Sequence, residues 1–224
     1  RMRNNSLSRT VVRLAAALLL GALALNPTLA QQSAIEEGMD YTTLKIPQAV
    51  DVAGKVEVIE FFWYRCPHCH ALEPAIEPWS KKLPRETNFR RVPAVFSDEW
   101  ALDARVFYAL EATGDWARLH GKLFDAIHKE GGVNQRGAAY IAWVNQWLGK
   151  NGVDVPKFEA ALRSFSVESR VKRAAQMSQA YALDGVPAFA VQGKFLISSS
   201  QTVTRQRMLD VTSALVEQQR RLLK

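Results

Sequence analysis

Lys55-Val56-Glu57-Val58-Ile59-Glu60-Phe61-Phe62-Trp63-Tyr64-Arg65-Cys66-Pro67-His68-Cys69 is the stretch on which the reading of this chain turns. Its first part is the strongest strand signal in the sequence, because Val56, Val58, Ile59, Phe61, Phe62, Trp63 and Tyr64 are β-branched or aromatic. Apolar residues fall on both alternating faces, as a central strand covered on both sides requires. Glu60 interrupts the run: it is either a solvent-facing strand residue or, as its apolar flanks favour, buried with a raised pKa. The only two cysteines of the chain follow directly, three positions apart. Beyond them Leu72, Ile76, Trp79 and Leu83 recur at helical spacing, so a helix is expected over 71–83, with Pro74 and Pro78 arguing against a straight one.

A strand that feeds a helix through Cys-Pro-His-Cys sets up a definite chemistry. Residues three apart on a helix share a face, and that separation suits a disulfide. Cys66 then stands at the helix N-terminus, where unpaired N–H groups and the helix dipole stabilise negative charge. Since the thiolate is the nucleophile, this lowers the pKa of Cys66 and makes it reactive. Cys69, one turn further in, is expected to be more buried and to keep a higher pKa. His68 offers positive charge or a hydrogen bond to the Cys66 sulfur, and Arg65 offers a further positive charge unless it points to solvent. A bridge across two residues closes almost no loop, so a purely structural staple is disfavoured.

Working outward, residues 31–38 are polar, Tyr41 to Ile46 reads as a short first strand, and Phe89 to Phe96 as another weakened by Pro93. From Ser97 to about Leu183 the pattern is helical. Trp100, Ala104, Phe107 and Leu110 make one stripe ended by Gly114, and Trp116 to His128 makes a second. Trp143 and Trp147, flanked by Ile141, Val144 and Leu148, make a third helix closed by Gly149, with the tryptophans as core. Asp154 caps a short helix with Pro156 in its first turn, and Ser166 opens a longer one to about Ala182. Strand chemistry returns at Gly185: Pro187 to Val191 and Phe195 to Ile197 flank Gln192-Gly193-Lys194, a hairpin signal. A last amphipathic helix spans about Thr204 to Leu223. Strands on both sides of a helical block indicate an α/β sheet domain, over 31–96 and 184–224, with an all-helical insertion over 97–183.

The first thirty residues read as an export signal. Arg1, Arg3, Arg9 and Arg13 are joined by no acid; the apolar run Val11 to Leu25 precedes Asn26 and Pro27, and Thr28-Leu29-Ala30 suits cleavage after Ala30. The run is short for a membrane span of ~20 residues. Of the 29 basic side chains four lie in this leader, and the remaining 25 against 22 acids leave +3, a solubility charge and not a nucleic-acid footprint. Export would place the cysteines in an oxidising compartment.

Three motifs in this order, Glu60-Phe61-Phe62, Cys66-Pro67-His68-Cys69 and Gly185-Val186-Pro187-Ala188-Phe189, resemble the bacterial periplasmic DsbA family. The resemblance covers most of the chain beyond the leader. It implies a thioredoxin fold with an inserted helical domain and a periplasmic protein disulfide oxidoreductase. The disulfide Cys66–Cys69 would be donated to exported proteins with free thiols, through a mixed disulfide on Cys66. It implies that Val186-Pro187 is a cis-proline loop facing the cysteines, whose valine backbone pairs with a bound substrate strand. Glu60 would shuttle the Cys69 proton, Glu73 matches another acidic position near the site, and Arg90 or Arg91 stands where the family often has a lysine. No cofactor or metal is implied; a DsbB-type membrane quinone reductase would reoxidise a monomeric enzyme.

Three rival readings are weaker. Cys66-Pro67-His68-Cys69-His70 fits the pattern of covalent haem attachment, but a strand directly before it and the second motif at Gly185 do not suit one. A zinc site wants four ligands and finds no second Cys pair; His120 and His128 are expected at the surface. A disulfide isomerase would carry a separate dimerisation domain, for which no segment is spare, and commonly threonine where Val186 stands.

Overall fold

The computed structural model describes residues 34–202 and 204–223. The expected export signal and its cleavage site lie outside the described residues. A five-stranded sheet is built from β1 (Thr42–Thr43), β2 (Val56–Phe62), β3 (Thr87–Pro93), β4 (Ala188–Val191) and β5 (Phe195–Ser198), in the order β1-β5-β4-β2-β3. β2 pairs parallel with β3 and antiparallel with β4. It is the central strand that its composition demands, buried along its whole length. Pro93 is tolerated because it ends an edge strand, where no ladder partner needs its missing N–H.

Alternation along β2 divides the core. Val56 and Val58 join Phe189, Val191 and Ile197 under two helices, α1 (Pro67–Ser80) and α7 (Arg205–Leu222). Ile59 and Phe61 on the opposite face join the core of five helices that lie between β3 and β4. These are α2 (Asp98–Thr113), α3 (Trp116–Lys129), α4 (Gly137–Lys150), α5 (Val155–Leu162) and α6 (Phe165–Ala180). Tyr181, just past α6, places its ring 5.1 Å from that of Phe61 and helps seal the block to the sheet. Among the described residues no helix is long and apolar enough to cross a membrane.

Most element ends follow local chemistry. Gly114 closes α2 in the left-handed conformation at φ 84°, and the Asp154 carboxylate accepts from Lys157 N at 3.0 Å to cap α5. Several ends differ from expectation: β1 is shorter than Tyr41 to Ile46, β3 spans Thr87–Pro93 in place of Phe89 to Phe96, and α1 spans Pro67–Ser80 in place of 71–83. α6 begins earlier, because the Ser164 hydroxyl, on extended backbone, accepts from Val167 N at 3.2 Å and takes the capping role assigned to Ser166. α4 runs through Gly149 and is closed at Asn151, whose N–H reaches back to Leu148 O at 3.0 Å. In the β4–β5 hairpin both Gln192 (φ 54°) and Gly193 (φ 60°) are left-handed. Gly193 is obligatory for a second reason: a Cβ there would lie 2.1 Å from Gln48 O.

Candidate active site

β2 ends at Phe62 and α1 starts at Pro67, so the cysteines sit where the central strand turns into a helix. Cys66 is the N-cap, with extended φ −77° and ψ 118°, and its sulfur accepts from Cys69 N at 3.4 Å. Pro67 fits the first helical position because its missing N–H would have had no intrahelical partner. The two thiols are unlinked and buried. Cys66 is pulled down to about 6, first by a hydrogen bond from the Cys69 thiol, against the cost of burial, and with help from the N–H groups of Cys69 and His68 and the charge of exposed His68. Burial pushes Cys69 well above its ordinary value, and the neighbouring Cys66 and Glu60 add to it. The asymmetry expected from helix position is thus present in the geometry.

The peptide bond Val186–Pro187 is cis, and Val186 O lies 3.4 Å from Cys66 Sγ. The loop before β4 therefore faces the outer sulfur across 120 residues of chain.

Beneath the cysteines lies a buried charge cluster. Glu60 faces Arg91 in the β2–β3 register, and Arg91 Nε donates to its Oε2 at 2.7 Å. Arg91 Nη2 donates to Glu73 Oε1 at 2.9 Å, so α1 is tied to the same guanidinium. Burial raises Glu60, with Arg91 opposing, and raises Glu73 to about 7. Arg91 is thus the basic residue of the cluster; Arg90 instead pairs with Glu57 at 3.2 Å and Asp51 at 3.3 Å.

Two expectations fail here. Arg65 does not offer its charge to Cys66: it is 3% exposed and turned into the helical block, with Nη1 2.6 Å from Glu99 and Nε 3.1 Å from Asp103. Its Nη1 also donates to Gln135 O at 2.8 Å, and its guanidinium lies 4.2 Å from the Tyr140 ring centre. Trp63 Nε1 donates to the same Asp103 at 2.6 Å. A buried cation must find carboxylates, and Glu99 and Asp103 on α2 are out of reach of sequence reasoning. His120 is the second failure: it is 3% exposed, not at the surface, and burial drives it well below its ordinary value so that it is neutral. The signal was its place in the apolar stripe of α3, between Trp116 and Phe124. His128 is partly buried, its Nε2 donating to Tyr64 O at 2.9 Å.

Among the described residues no group of His, Cys, Asp and Glu is arranged to hold a metal.

The chain matches the family model of the DSBA-like thioredoxin domain over residues 57–210. It is 41% identical over 203 residues to the thiol:disulfide interchange protein DsbA of Burkholderia cepacia, covering 89% of this chain and 94% of that one. The protein of the same name from Azotobacter vinelandii is 38% identical over 186 residues, covering 83% and 85%. The crystal structure of Pseudomonas aeruginosa DsbA superposes with a TM-score of 0.77 at 35% identity, covering 84% of this chain and 96% of the other. With a thioredoxin-like sheet, five helices between β3 and β4, and a Cys-Pro-His-Cys turn at the end of its central strand, the chain belongs to the DsbA family of thiol:disulfide oxidoreductases.

Proposed function

We propose that the chain works in the periplasm as a disulfide donor, with Cys66 as the attacked sulfur and Cys69 as the leaving one. A substrate thiolate bonds to Cys66 Sγ as the Cys66–Cys69 bond breaks, and the electron pair leaves on Cys69, which takes a proton. A second substrate thiolate then attacks the substrate sulfur of the mixed disulfide. Cys66 departs with its electron pair, leaving the substrate oxidised and the enzyme as a dithiol. The carrying observation is Cys66 at the start of α1, its sulfur accepting from Cys69 N at 3.4 Å, with Cys69 buried one turn further in; this arrangement pulls Cys66 down to about 6 and holds Cys69 high. A sulfur stable as thiolate is the better leaving group, and stabilising the reduced form makes the disulfide a stronger oxidant.

Pro67 starts the helix and His68 adds charge next to the sulfur. Glu60, buried beside Cys69, serves as its proton carrier. Val186 and Pro187 form the surface on which a substrate strand is laid beside Cys66. The sheet residues 31–96 and 184–224 carry the site, and the helical insertion 97–183 packs over it. The family relationship supports exported proteins with free thiols as substrates and a DsbB-type membrane quinone reductase as the reoxidant; the enzyme acts as a monomer. The test is a trapping pair. Cys69→Ser should accumulate mixed disulfides through Cys66 when mixed with a reduced unfolded protein, and Cys66→Ser should neither trap nor oxidise. Trapping through Cys69 in the Cys66→Ser protein would refute the assignment.

A further inference from the structure

The turn that carries the dithiol is held from outside by one helix of the insertion. His128 on α3 donates from Nε2 to Tyr64 O at 2.9 Å, two residues before Cys66. The same ring is stacked on His70, the residue after Cys69, with ring centres 4.4 Å apart and planes 3° from parallel. His70 Nε2 donates to Asp125 Oδ1 at 2.7 Å, and Asp125 sits one turn before His128 on α3. Thus α3 grips the chain on both sides of Cys66-Pro67-His68-Cys69. Buried Phe124 backs the stack, its ring centre 6.2 Å from that of His70 and 6.3 Å from that of His128.

Charge treats the two rings differently. Each ring spends its Nε2–H on an oxygen, so a second proton on either goes to Nδ1. A charged His70 has the Asp125 carboxylate at 2.7 Å. His128 has only a neutral carbonyl. Burial lowers His128 below the ordinary imidazole value; the Tyr64 carbonyl opposes this, and a charge on His70 adds to it. Two imidazolium rings at stacking distance repel, so the stack holds one charge and not two. The other charged and titratable groups facing the rings are Lys122 and Lys129 on α3 and Glu73 and Glu77 on α1. Three of these are already engaged: Lys129 with Asp125 at 2.8 Å, Glu77 with Lys81 at 2.7 Å, and Glu73 with Arg91 at 2.9 Å.

We propose that His128 is a positioning residue for disulfide exchange: with His70 and Asp125 it clasps the cysteine turn to the helical insertion, and charging both stacked rings opens the clasp. The proposal rests on the reading of Cys66 as the attacked sulfur and adds what keeps that sulfur in place. A turn fixed at Tyr64 and at His70 holds Cys66 Sγ 3.4 Å from Val186 O, beside which the substrate strand is laid. Released at both points, the turn drifts against that loop, and a misplacement of about 1 Å at a reacting atom costs up to about 100-fold in rate. His128 is lowered from 6.5 in the folded chain. The clasp is therefore whole above that ordinary value and is lost as pH falls through the lower, folded one.

The test measures single-turnover disulfide transfer from the oxidised full chain to a reduced unfolded protein, from about pH 4.5 to about pH 8, for wild type, His128→Leu, His128→Gln and His70→Tyr. Each variant is compared with wild type at the same pH, so ionisation of the substrate thiol cancels. His128→Leu has no donor for Tyr64 O and should be about tenfold slower than wild type at about pH 7.5. His128→Gln sets an amide N–H where the Nε2–H stood and takes no charge. It should lie within about twofold of wild type at about pH 7.5 and outrun it about threefold by about pH 5. In His70→Tyr the His128 proton resonance should titrate at higher pH than in wild type, because the charged neighbour is gone. If His128→Leu keeps the wild-type rate and loses only melting temperature, His128 is packing and the proposal is overturned. A constant ratio of His128→Gln to wild type across the range overturns the opening by charge. If wild type itself transfers no disulfide, the reading of Cys66 falls and the clasp with it. Should His128→Leu fail to fold, His128→Gln and His70→Tyr decide by the same criteria.

Discussion

Reducing the Cys66–Cys69 bond should make the stability of this protein depend on pH in a way the oxidised form lacks. The Cys66 thiol is lowered from 9.0 to about 6 in the folded chain. A depressed acid contributes stability in full above its unfolded value and loses it as pH falls through the folded value. At pH 7 the folded thiol is about ten parts thiolate to one of thiol, whereas the unfolded one stays protonated, a difference of about 1.4 kcal/mol. Solvent close to the sulfur screens part of the effect, so the range is about 0.7 to 1.4 kcal/mol. For a chain of this size that corresponds to about 2 to 5 °C in melting temperature. Cys69 contributes nothing here, because below its unfolded value of 9.0 it is protonated in both states. Glu60 and Glu73 titrate in both redox forms, so their common effect cancels in the difference. The assay is therefore the melting temperature of reduced minus oxidised protein, at steps from about pH 5 to about pH 7.5. The gap should widen in favour of the reduced form as pH rises. A gap constant across that range would refute the account of Cys66 as the stabilised thiolate.

Removing Arg65 should separate its structural role from any redox one. Arg65→Met leaves Asp103 buried without its cation, at a cost of about 3 kcal/mol. Since burial already holds Asp103 up at about 6, the loss should be greater at pH 8 than at pH 5, where the carboxyl is neutral. The Cys66 titration should stay in place; a marked upward move would show that the guanidinium acts on the sulfur after all. Gly193→Ala forces a Cβ against Gln48 O in a left-handed turn, and should cost about 1 to 3 kcal/mol by denaturant unfolding with no change in thiol reactivity. A neutral outcome would mean that the Gln48 segment moves aside freely.

Local pattern carried much of this architecture. β2, the β4–β5 hairpin and the stripes of α2 and α3 were readable because composition and periodicity act over a few residues. Cys66 at a helix start followed from a strand running into Cys-Pro-His-Cys. What escaped depends on partners far away in the chain. Arg65 looked like a charge beside a sulfur because its neighbour in sequence is Cys66; its neighbours in space, Glu99 and Asp103, lie 34 and 38 residues on. His120 looked polar and therefore exposed, yet Tyr64, 56 residues away, gives its ring a hydrogen-bonding reason to be inside. The choice between Arg90 and Arg91 turned on strand parity: in the parallel register Arg91 stands opposite Glu60, whereas Arg90 stands opposite Ile59. Gln192 in a left-handed turn was also missed, since nothing but the adjoining Gly193 hints at it.

Cys66 is both the reacting atom's residue and the closure of the first turn of α1. Work done at that sulfur is consequently work done on the helix start. The usual inactivating swap acquires an unexpected side. A serine hydroxyl is among the best groups for holding a helix start, so Cys66→Ser should yield a protein that is chemically dead yet more firmly wound at its business end than the living enzyme.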